Sequence, residues 1–165
     1  MRESIKMKTE KLNFKFRVSG IVIKNNKVLF VDMDDSGFLC LPGGYVELGE
    51  TTEQACLREL KEEVGKNFRI DKYCGVIENF FRNKFNKNIH EISFYYMLTS
   101  TDELHTLDFT LMENDKGNIV KLDFKWIDLE KIENYDIRPE FLKQILRKNV
   151  NFNHLVIDEL AKSEI

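Results

Sequence analysis

Apolar and polar residues alternate along several stretches of the chain, with the period of two that is typical of β-strands. Residues 16–23 (FRVSGIVI) form one such stretch, and the polar turn KNNK follows at 24–27. The apolar run at 28–31 (VLFV) then returns, which predicts an antiparallel hairpin. Residues 68–81 and 89–99 are two further long strands joined by a polar segment, and they predict a second hairpin.

Between the two predicted hairpins the spacing of apolar residues becomes that of a helix. Thr51 is a suitable N-cap, and Gln54 stands three residues later, where a capping box places Glu or Gln. Gly65 is a natural C-terminal stop, because glycine adopts the left-handed backbone of a helix end without strain. These signals predict a helix whose buried face consists of Cys56, Leu57, Leu60 and Val64.

The C-terminal third is predicted to add one strand and one helix. Residues 100–117 are rich in turn-forming side chains, and residues 118–127 form the last predicted strand. A short helical turn begins at Leu129, and Pro139 begins a helix. The tail from Asn151 is partly apolar, so it docks on the domain or on a second subunit, and a homodimer is one expectation. The predicted core face of the helix consists of Phe141, Leu142, Ile145 and Leu146.

This succession of strands and helices predicts an α+β fold. The chain has 165 residues, which suits a single domain spanning 1–165. Apolar residues make up 42% of the chain and charged residues 32%, which is typical of an ordinary globular protein. The first twelve residues are mostly polar, and we expect residues 1–12 to be a flexible or loosely packed extension.

Charge and cysteine content narrow the expected partners and location. The net charge is −3, so the chain lacks the basic surface that binds DNA or RNA backbones. Cys40, Cys56 and Cys74 are odd in number and lack metal-site spacing, which indicates a reducing compartment. No apolar run approaches membrane-spanning length, and the first residues lack a signal-peptide core. We therefore expect a cytoplasmic protein without a membrane partner.

Three carboxylates share one surface of the predicted helix. Glu59, Glu62 and Glu63 stand at i, i+3 and i+4, which places them within one turn of each other. They lie near the helix C-terminus, where the helix dipole disfavours each anion by about 0.3–1 kcal/mol. A hard divalent cation such as Mg²⁺ would offset this repulsion, because it takes oxygen ligands. The alternative is a solvated charged face, which is common on helices.

The residues around this cluster favour the first interpretation because of their spacing. Five residues separate Gly44 from Glu50, and seven more separate Glu50 from Arg58. This pattern resembles the Nudix box over Gly44–Lys66, and the matching residues are Gly44, Glu50, Arg58, Glu59, Leu60, Glu62, Glu63 and Gly65. The one departure is Lys66, which stands where the box has an aliphatic residue and which bears on packing at the helix exit.

The resemblance to Nudix hydrolases implies a fold and a set of roles. The fold would be an α/β/α sandwich around a mixed β-sheet. Glu59, Glu62 and Glu63 would bind Mg²⁺, or Mn²⁺ as a substitute, and act in catalysis, and the carbonyl oxygen of Gly43 would join them as a metal ligand. Structural support would come from Gly44 and from an ion pair between Glu50 and Arg58, which would hold the loop on the helix.

The implied reaction is metal-dependent hydrolysis of a pyrophosphate bond in a nucleoside diphosphate linked to another moiety. The general base is one of the helix glutamates or comes from a later loop, for which Glu113 is the first candidate and Glu91 and Glu103 are alternatives. A different hypothesis is a catalytically silent Nudix-fold module that binds nucleotides or regulates. The intact set of three acids argues against that hypothesis.

The substrate is not identified by the sequence beyond a small nucleotide. Phe81 stands where Nudix hydrolases of ADP-ribose carry a proline, fifteen positions beyond the box. Phe80, Phe81 and Phe85 are candidates for stacking on a base, and His90 for touching a phosphate. Packing of the hairpin is the simpler explanation for most of them, so the substrate-binding residues stay unassigned.

Overall fold

A computed structural model describes residues 3–83, 85–115, 117–148 and 151–161. Within these residues eight strands form one mixed sheet, which confirms the expected α+β class. Two α-helices and a 3₁₀ helix at Leu129–Asn134 complete the structure there. The elements are β1 (Lys6–Lys8), β2 (Leu12–Lys24), β3 (Lys27–Met33), α1 (Thr52–Val64), β4 (Phe68–Arg82), β5 (Asn88–Ser100), β6 (Phe109–Asp115), β7 (Asn118–Asp128), α2 (Leu142–Arg147) and β8 (His154–Asp158).

The strand order across the sheet is β6-β7-β3-β2-β5-β4-β8, and β1 pairs with β2 outside this path. The predicted hairpins are confirmed, since β2–β3 and β4–β5 are antiparallel neighbours. The pairs β2–β5 and β4–β8 are parallel. Strand β2 is therefore central, and it joins the two halves of the sheet.

One helix packs on each face of the sheet, as the Nudix resemblance implied. Helix α1 contributes its apolar side to a core shared with β2, β5 and β7. Helix α2 and the 3₁₀ helix cover a second core on the opposite face. The buried residues of α1 include Ala55, Cys56, Leu60 and Val64, and those of the second face include Ile132, Leu142, Ile145 and Leu146.

The sheet opens between β2 and β3, and this opening positions the candidate site. The two strands are paired only next to their connecting turn, at Ile23–Val28 and Lys24–Lys27. Residues 38–46 fill the opening. The Cys40 backbone exchanges hydrogen bonds with Val31 of β3 (2.8 and 2.9 Å), and the carbonyl of Pro42 accepts from the Gly20 N–H of β2 (2.8 Å). The loop that leads into α1 is thus hydrogen-bonded to both strands.

The N-terminal residues differ from the expected loose extension. Lys6–Lys8 form β1, which runs antiparallel to β2 with Lys6 opposite Lys15. The Ile5 N–H also donates to the Val46 carbonyl (2.7 Å). All three β1 residues are exposed, so their polar composition is that of an edge strand. Met1 and Arg2 of the expected extension lie outside the described residues.

Strand β6 lies within residues 100–117, where we expected turns. It pairs antiparallel with β7 over its whole length. It is the last strand at its end of the sheet path, and side chains such as Met112 are exposed there. An edge strand buries little surface, so its apolar alternation is weak, and the sequence pattern missed it.

The C-terminal elements also differ in detail. Helix α2 begins at Leu142, whose N–H donates to the carbonyl of Pro139 (3.0 Å), so Pro139 lies in the turn before the helix. The tail docks on the domain, the first of our two expectations, because β8 adds to the sheet beside β4.

Candidate active site

Helix α1 begins and ends at the predicted residues. The Thr51 side chain accepts from the Gln54 N–H, and the Gln54 side chain accepts from the Thr51 N–H, which completes the capping box. Gly65 ends the helix in the left-handed conformation at φ 70°. These caps fix the rotation and the length of the helix, and hence the places of its glutamates.

The turn at residues 42–45 packs directly on the backbone of β2. The Val18 N–H donates to the Gly44 carbonyl (2.9 Å), next to the bond between Gly20 and Pro42. Gly43 has φ +145°, and a Cβ there would lie 2.2 Å from the Val18 carbonyl oxygen. Only glycine fits this position.

Charged groups of opposite sign hold Gly43 through its two backbone polar groups. Its N–H donates to Glu63 Oε2 (2.8 Å). Its carbonyl oxygen accepts from Arg17 Nη2 (2.9 Å). The orientation of this carbonyl is therefore tied both to helix α1 and to strand β2.

Arg58 joins the helix to the loop through all five of its N–H donors. Nε and Nη2 donate to the two oxygens of Glu50 (3.1 and 2.7 Å), and Nη2 also donates to the Tyr45 carbonyl (2.9 Å). Nη1 donates to Glu59 Oε1 (2.8 Å) and to Glu62 Oε2 (3.0 Å). The expected Glu50–Arg58 ion pair is present, and the same arginine also holds two of the three helix glutamates.

Burial sets the electrostatics of the other carboxylates. Glu63 is 5% exposed, and burial, with the charges of Glu59 and Glu113, raises its pKa to about 8 although the Gly43 N–H opposes the shift. Burial also raises the pKa of Glu59, against the opposing effect of Arg58. Burial disfavours the charged form of these carboxyls, and a nearby cation would stabilise it.

The residues fit a hard divalent cation by their chemistry. Glu59 lies against Gly44, where an added Cβ would be 2.2 Å from Glu59 Oε2, so the glycine provides the space that this carboxylate occupies. Within the described residues no three His, Cys, Asp or Glu side chains form a ready-made metal cluster. The side chain of Glu62 is 45% exposed, so it can rotate toward the other two. The oxygen donors are thus close together but not yet convergent.

Comparisons with known proteins identify the family of this chain. The NUDIX domain family matches residues 14–148. The chain belongs to the Nudix family. An ADP-ribose pyrophosphatase of Methanocaldococcus jannaschii is a relative with 34% identity over an alignment of 125 residues. The alignment covers 70% of this chain and 68% of that protein. A probable DHNTP pyrophosphohydrolase of Lactococcus lactis is 27% identical over 138 residues, 80% of this chain and 72% of that protein.

A solved structure confirms the Nudix fold. The crystal structure of the mutator MutT protein from Bacillus halodurans has a TM-score of 0.58 at 16% identity, over 87% of this chain and 86% of that one. The family match and the relatives show that this protein is a Nudix pyrophosphohydrolase, an enzyme that acts on phosphoric anhydrides. In the described part of the chain, no helix has the length and apolar character needed to cross a membrane.

The later acids occupy different places in this Nudix domain. Glu113 on β6 is near enough to Glu63 to raise the pKa of that carboxyl. Glu91 Oε2 lies 3.9 Å from Arg17 Nη1, beside the Gly43 turn. Glu103 is 82% exposed and faces His105 at 3.5 Å. Of these three acids, Glu113 is the one whose charge acts on Glu63, and Glu103 lies in solvent.

Two of these candidates, Phe80 and His90, are in contact with each other. His90 stacks on Phe80 with ring centroids 4.3 Å apart, and its Nε2 lies 2.8 Å from Glu78 Oε1. Side chains alternate along a strand, so His90 and Glu91 lie on opposite faces of the sheet. Phe85 is 72% exposed. These contacts support the packing explanation for Phe80 and His90.

Sequence reasoning missed Arg17. It stands in the alternating stretch FRVSGIVI, where a charged residue looks like an ordinary outward side chain. A signal was present, because Arg17 and Ser19 are the two polar side chains in the stretch FRVSGIVI, which belongs to a central strand of the sheet. A central strand has little solvent to offer an arginine, which therefore needs a partner or a ligand.

Proposed function

We propose that this Nudix protein hydrolyses a pyrophosphate bond in a nucleoside diphosphate linked to another moiety, and that the reaction depends on a divalent metal. The observation that carries the proposal is the packing of Glu59 and Glu63 against the Gly43–Gly44 turn. Buried carboxylates beside a glycine turn provide oxygen donors without side-chain obstruction. A site selected for stability alone would have apolar residues there, because burying a charge costs free energy.

The residues that would hold the metal are Glu59, Glu62, Glu63 and the carbonyl oxygen of Gly43. Mg²⁺ is the expected ion because the donors are all hard oxygens, and Mn²⁺ is a substitute. A bound divalent cation supplies neutralisation of phosphate charge and acidification of water at the site. The role of Arg58 is to hold Glu50, the Tyr45 carbonyl and two helix glutamates, which fixes the loop relative to α1.

We propose that Glu63 or a carboxylate near it accepts the proton of the attacking water. Glu59, Glu62 and Glu63 are candidates, and Glu113 is our preferred acid from outside the box because of its electrostatic effect on Glu63. Glu91 is a weaker candidate because it faces Arg17, with Oε2 at 3.9 Å from Nη1. Glu103 is the weakest candidate because it faces solvent.

The substrate class is proposed from the relatives. One is named an ADP-ribose pyrophosphatase and another a probable DHNTP pyrophosphohydrolase, so DHNTP belongs in the first screen beside ADP-ribose and other nucleotides. Phe81 stands at the position of the proline marker of ADP-ribose hydrolases, which argues against taking ADP-ribose for granted.

Location and partners are part of the same proposal. We expect a cytoplasmic protein whose partner is a small nucleotide, with no nucleic-acid scaffold and no membrane, because the net charge is −3. The competing function is a Nudix-fold module that binds a nucleotide without turnover. A homodimer remains an expectation that sedimentation of the purified chain would test.

A substrate panel with Mg²⁺ tests the function. Purified protein is incubated with ADP-ribose, other nucleoside diphosphate compounds and nucleoside triphosphates, and the release of phosphate, pyrophosphate and nucleotide is measured. The control is Glu63→Gln, which keeps the size of the side chain but not its charge. We expect turnover of at least one compound by the wild type and a large loss in the variant. Nucleotide binding without turnover across the panel would favour the silent module.

A further inference from the structure

Two arginines hold the same turn, and they differ in how many of their donors are used. Each guanidinium carries five N–H groups. Arg58 uses all of them, in bonds to three carboxylates and the Tyr45 carbonyl. Among the described residues Arg17 makes a single hydrogen bond, to the carbonyl of Gly43. Four N–H donors of Arg17 are therefore left over beside the candidate active site.

The surroundings of Arg17 do not satisfy these donors. Its Nε is buried and has no hydrogen-bond partner among the residues that the structure describes. Among the described residues the nearest carboxylate oxygen is Glu91 Oε2, which lies 3.9 Å from Nη1. This distance is too long for a hydrogen bond. The Tyr45 ring lies 5.7 Å from the guanidinium carbon. A buried donor without a partner is destabilising, so this arrangement favours a ligand that supplies acceptors.

The guanidinium is both reachable and close to the carboxylate cluster. The side chain of Arg17 is 23% exposed. Its charge acts on Glu59 and Glu63, lowering the pKa of each against the larger effect of burial. Lys15 lies two residues earlier on the same face of β2, where burial lowers its pKa. Two cations, Lys15 and Arg17, thus lie on the same face of the sheet as Glu91.

We propose that Arg17 binds an anionic oxygen of the substrate's diphosphate group and so determines substrate affinity, while Arg58 acts only as a structural brace. A guanidinium matches phosphate oxygens with parallel N–H donors. The bond to Gly43 leaves the remaining donors free to do so without releasing the turn. This inference rests on the proposed hydrolysis of a diphosphate, and it names the residue that recognises the anion.

A purely structural role for Arg17 makes a different prediction. If Arg17 only orients the Gly43 carbonyl, its loss weakens metal binding and lowers kcat, while the affinity for an anion at saturating metal is unchanged. If Arg17 binds the diphosphate, its loss raises KM and weakens binding of the anion at saturating metal.

The test uses imidodiphosphate, a diphosphate analogue with a P–N–P bridge. Its Kd is measured by isothermal titration calorimetry at saturating Mg²⁺ for wild type, Arg17→Gln and Arg17→Lys. The matched control is Arg69→Gln, because Arg69 is 66% exposed, pairs with Asp71 and changes the net charge equally. Mn²⁺ affinity is measured for each protein by electron paramagnetic resonance, and circular dichroism confirms the fold.

We expect Arg17→Gln to weaken imidodiphosphate about 10- to 100-fold, the loss of one charge-assisted hydrogen bond or more. Arg17→Lys should recover part of the affinity, since it keeps the charge but not the fork of donors. Arg69→Gln should bind as the wild type does. Equal binding by Arg17→Gln and wild type, or no binding by the wild type, overturns the proposal.

The same experiment separates this inference from the proposed function. Binding that depends on Arg17, without turnover of any compound in the panel, supports the anion site and contradicts the hydrolase. Turnover with an unchanged KM in Arg17→Gln supports the hydrolase and contradicts the anion site.

Discussion

Replacing Arg58 by alanine is the sharpest perturbation of the structural part of the site. The change removes five hydrogen bonds at once and leaves Glu50, Glu59 and Glu62 without this cation. It also removes the hydrogen bond to the Tyr45 carbonyl, so the loop loses one of its attachments to helix α1. We expect the free energy of unfolding and the turnover rate to fall together, which distinguishes a brace from a catalytic group.

The magnitude follows from burial rather than from a sum of bonds. Charge-assisted hydrogen bonds contribute about 1.5–3 kcal/mol each, and five would equal the whole stability of a typical domain, so simple addition is wrong. Removing one partner of a buried ion pair costs about 3–5 kcal/mol. The side chains of Arg58, Glu50 and Glu59 are 14%, 16% and 14% exposed, which reduces the expected loss to about 2–4 kcal/mol through solvent screening.

This loss converts to a shift in melting temperature. Unfolding entropy is about 2.1 cal/mol/K per residue, or about 0.35 kcal/mol/K for 165 residues, so Arg58→Ala should lower Tm by about 6–12 °C. The assay is calorimetry and urea unfolding in EDTA, so that bound metal does not contribute. The control is Arg138→Ala, because Arg138 makes a similar two-bond contact with Asp136 but is 60% exposed, and its loss should cost about 1 kcal/mol or less. Equal shifts in the two variants would refute the reasoning from burial.

Three further predictions concern the carboxylates and the glycine turn. Mg²⁺ should raise the Tm of the wild type more than that of Glu62→Gln in thermal scans, because metal binds only the folded state, and equal shifts would remove Glu62 from the site. Glu59→Gln and Glu63→Gln should each lower turnover about 10²- to 10⁴-fold, and each should lower Tm far less than Arg58→Ala does, because Arg58 keeps Glu50 and Glu62 as partners. Gly44→Ala should lower turnover sharply, since its Cβ would lie 2.2 Å from Glu59 Oε2, and wild-type kinetics would contradict that packing.

The elements that sequence reasoning predicted correctly are those with strong local signals. Helix α1 has a capping box at Thr51 and a glycine stop at Gly65, and both ends agree with the structure. The hairpins β2–β3 and β4–β5 were also clear, because polar segments join strands that have either alternating apolar residues or the buried run Val28–Val31. The edge strands β1 and β6 were missed because a strand with one neighbour buries too little surface to require an apolar pattern.

The site was predictable where one helix holds it and unpredictable where separate elements meet. The positions of Glu50, Arg58 and the three helix glutamates follow from spacing along α1 and its loop. The contact of Arg17 with Gly43 joins residues 26 positions apart, and it depends on the opening between β2 and β3 that residues 38–46 fill. No local pattern encodes such an opening, because it results from how the whole sheet pairs.

The two ways of holding Gly43 explain why the turn and the helix work as one unit. Glu63 accepts from the N–H of Gly43, and Arg17 donates to its carbonyl, so an anion and a cation fix one residue from two elements. A change at Glu63 therefore acts on the carbonyl as well as on the carboxylate set. Because Arg17 has four donors left over, it can bind an anion without releasing the turn. The geometry of the turn would then be the same before and after substrate binds, as preorganised catalysis requires.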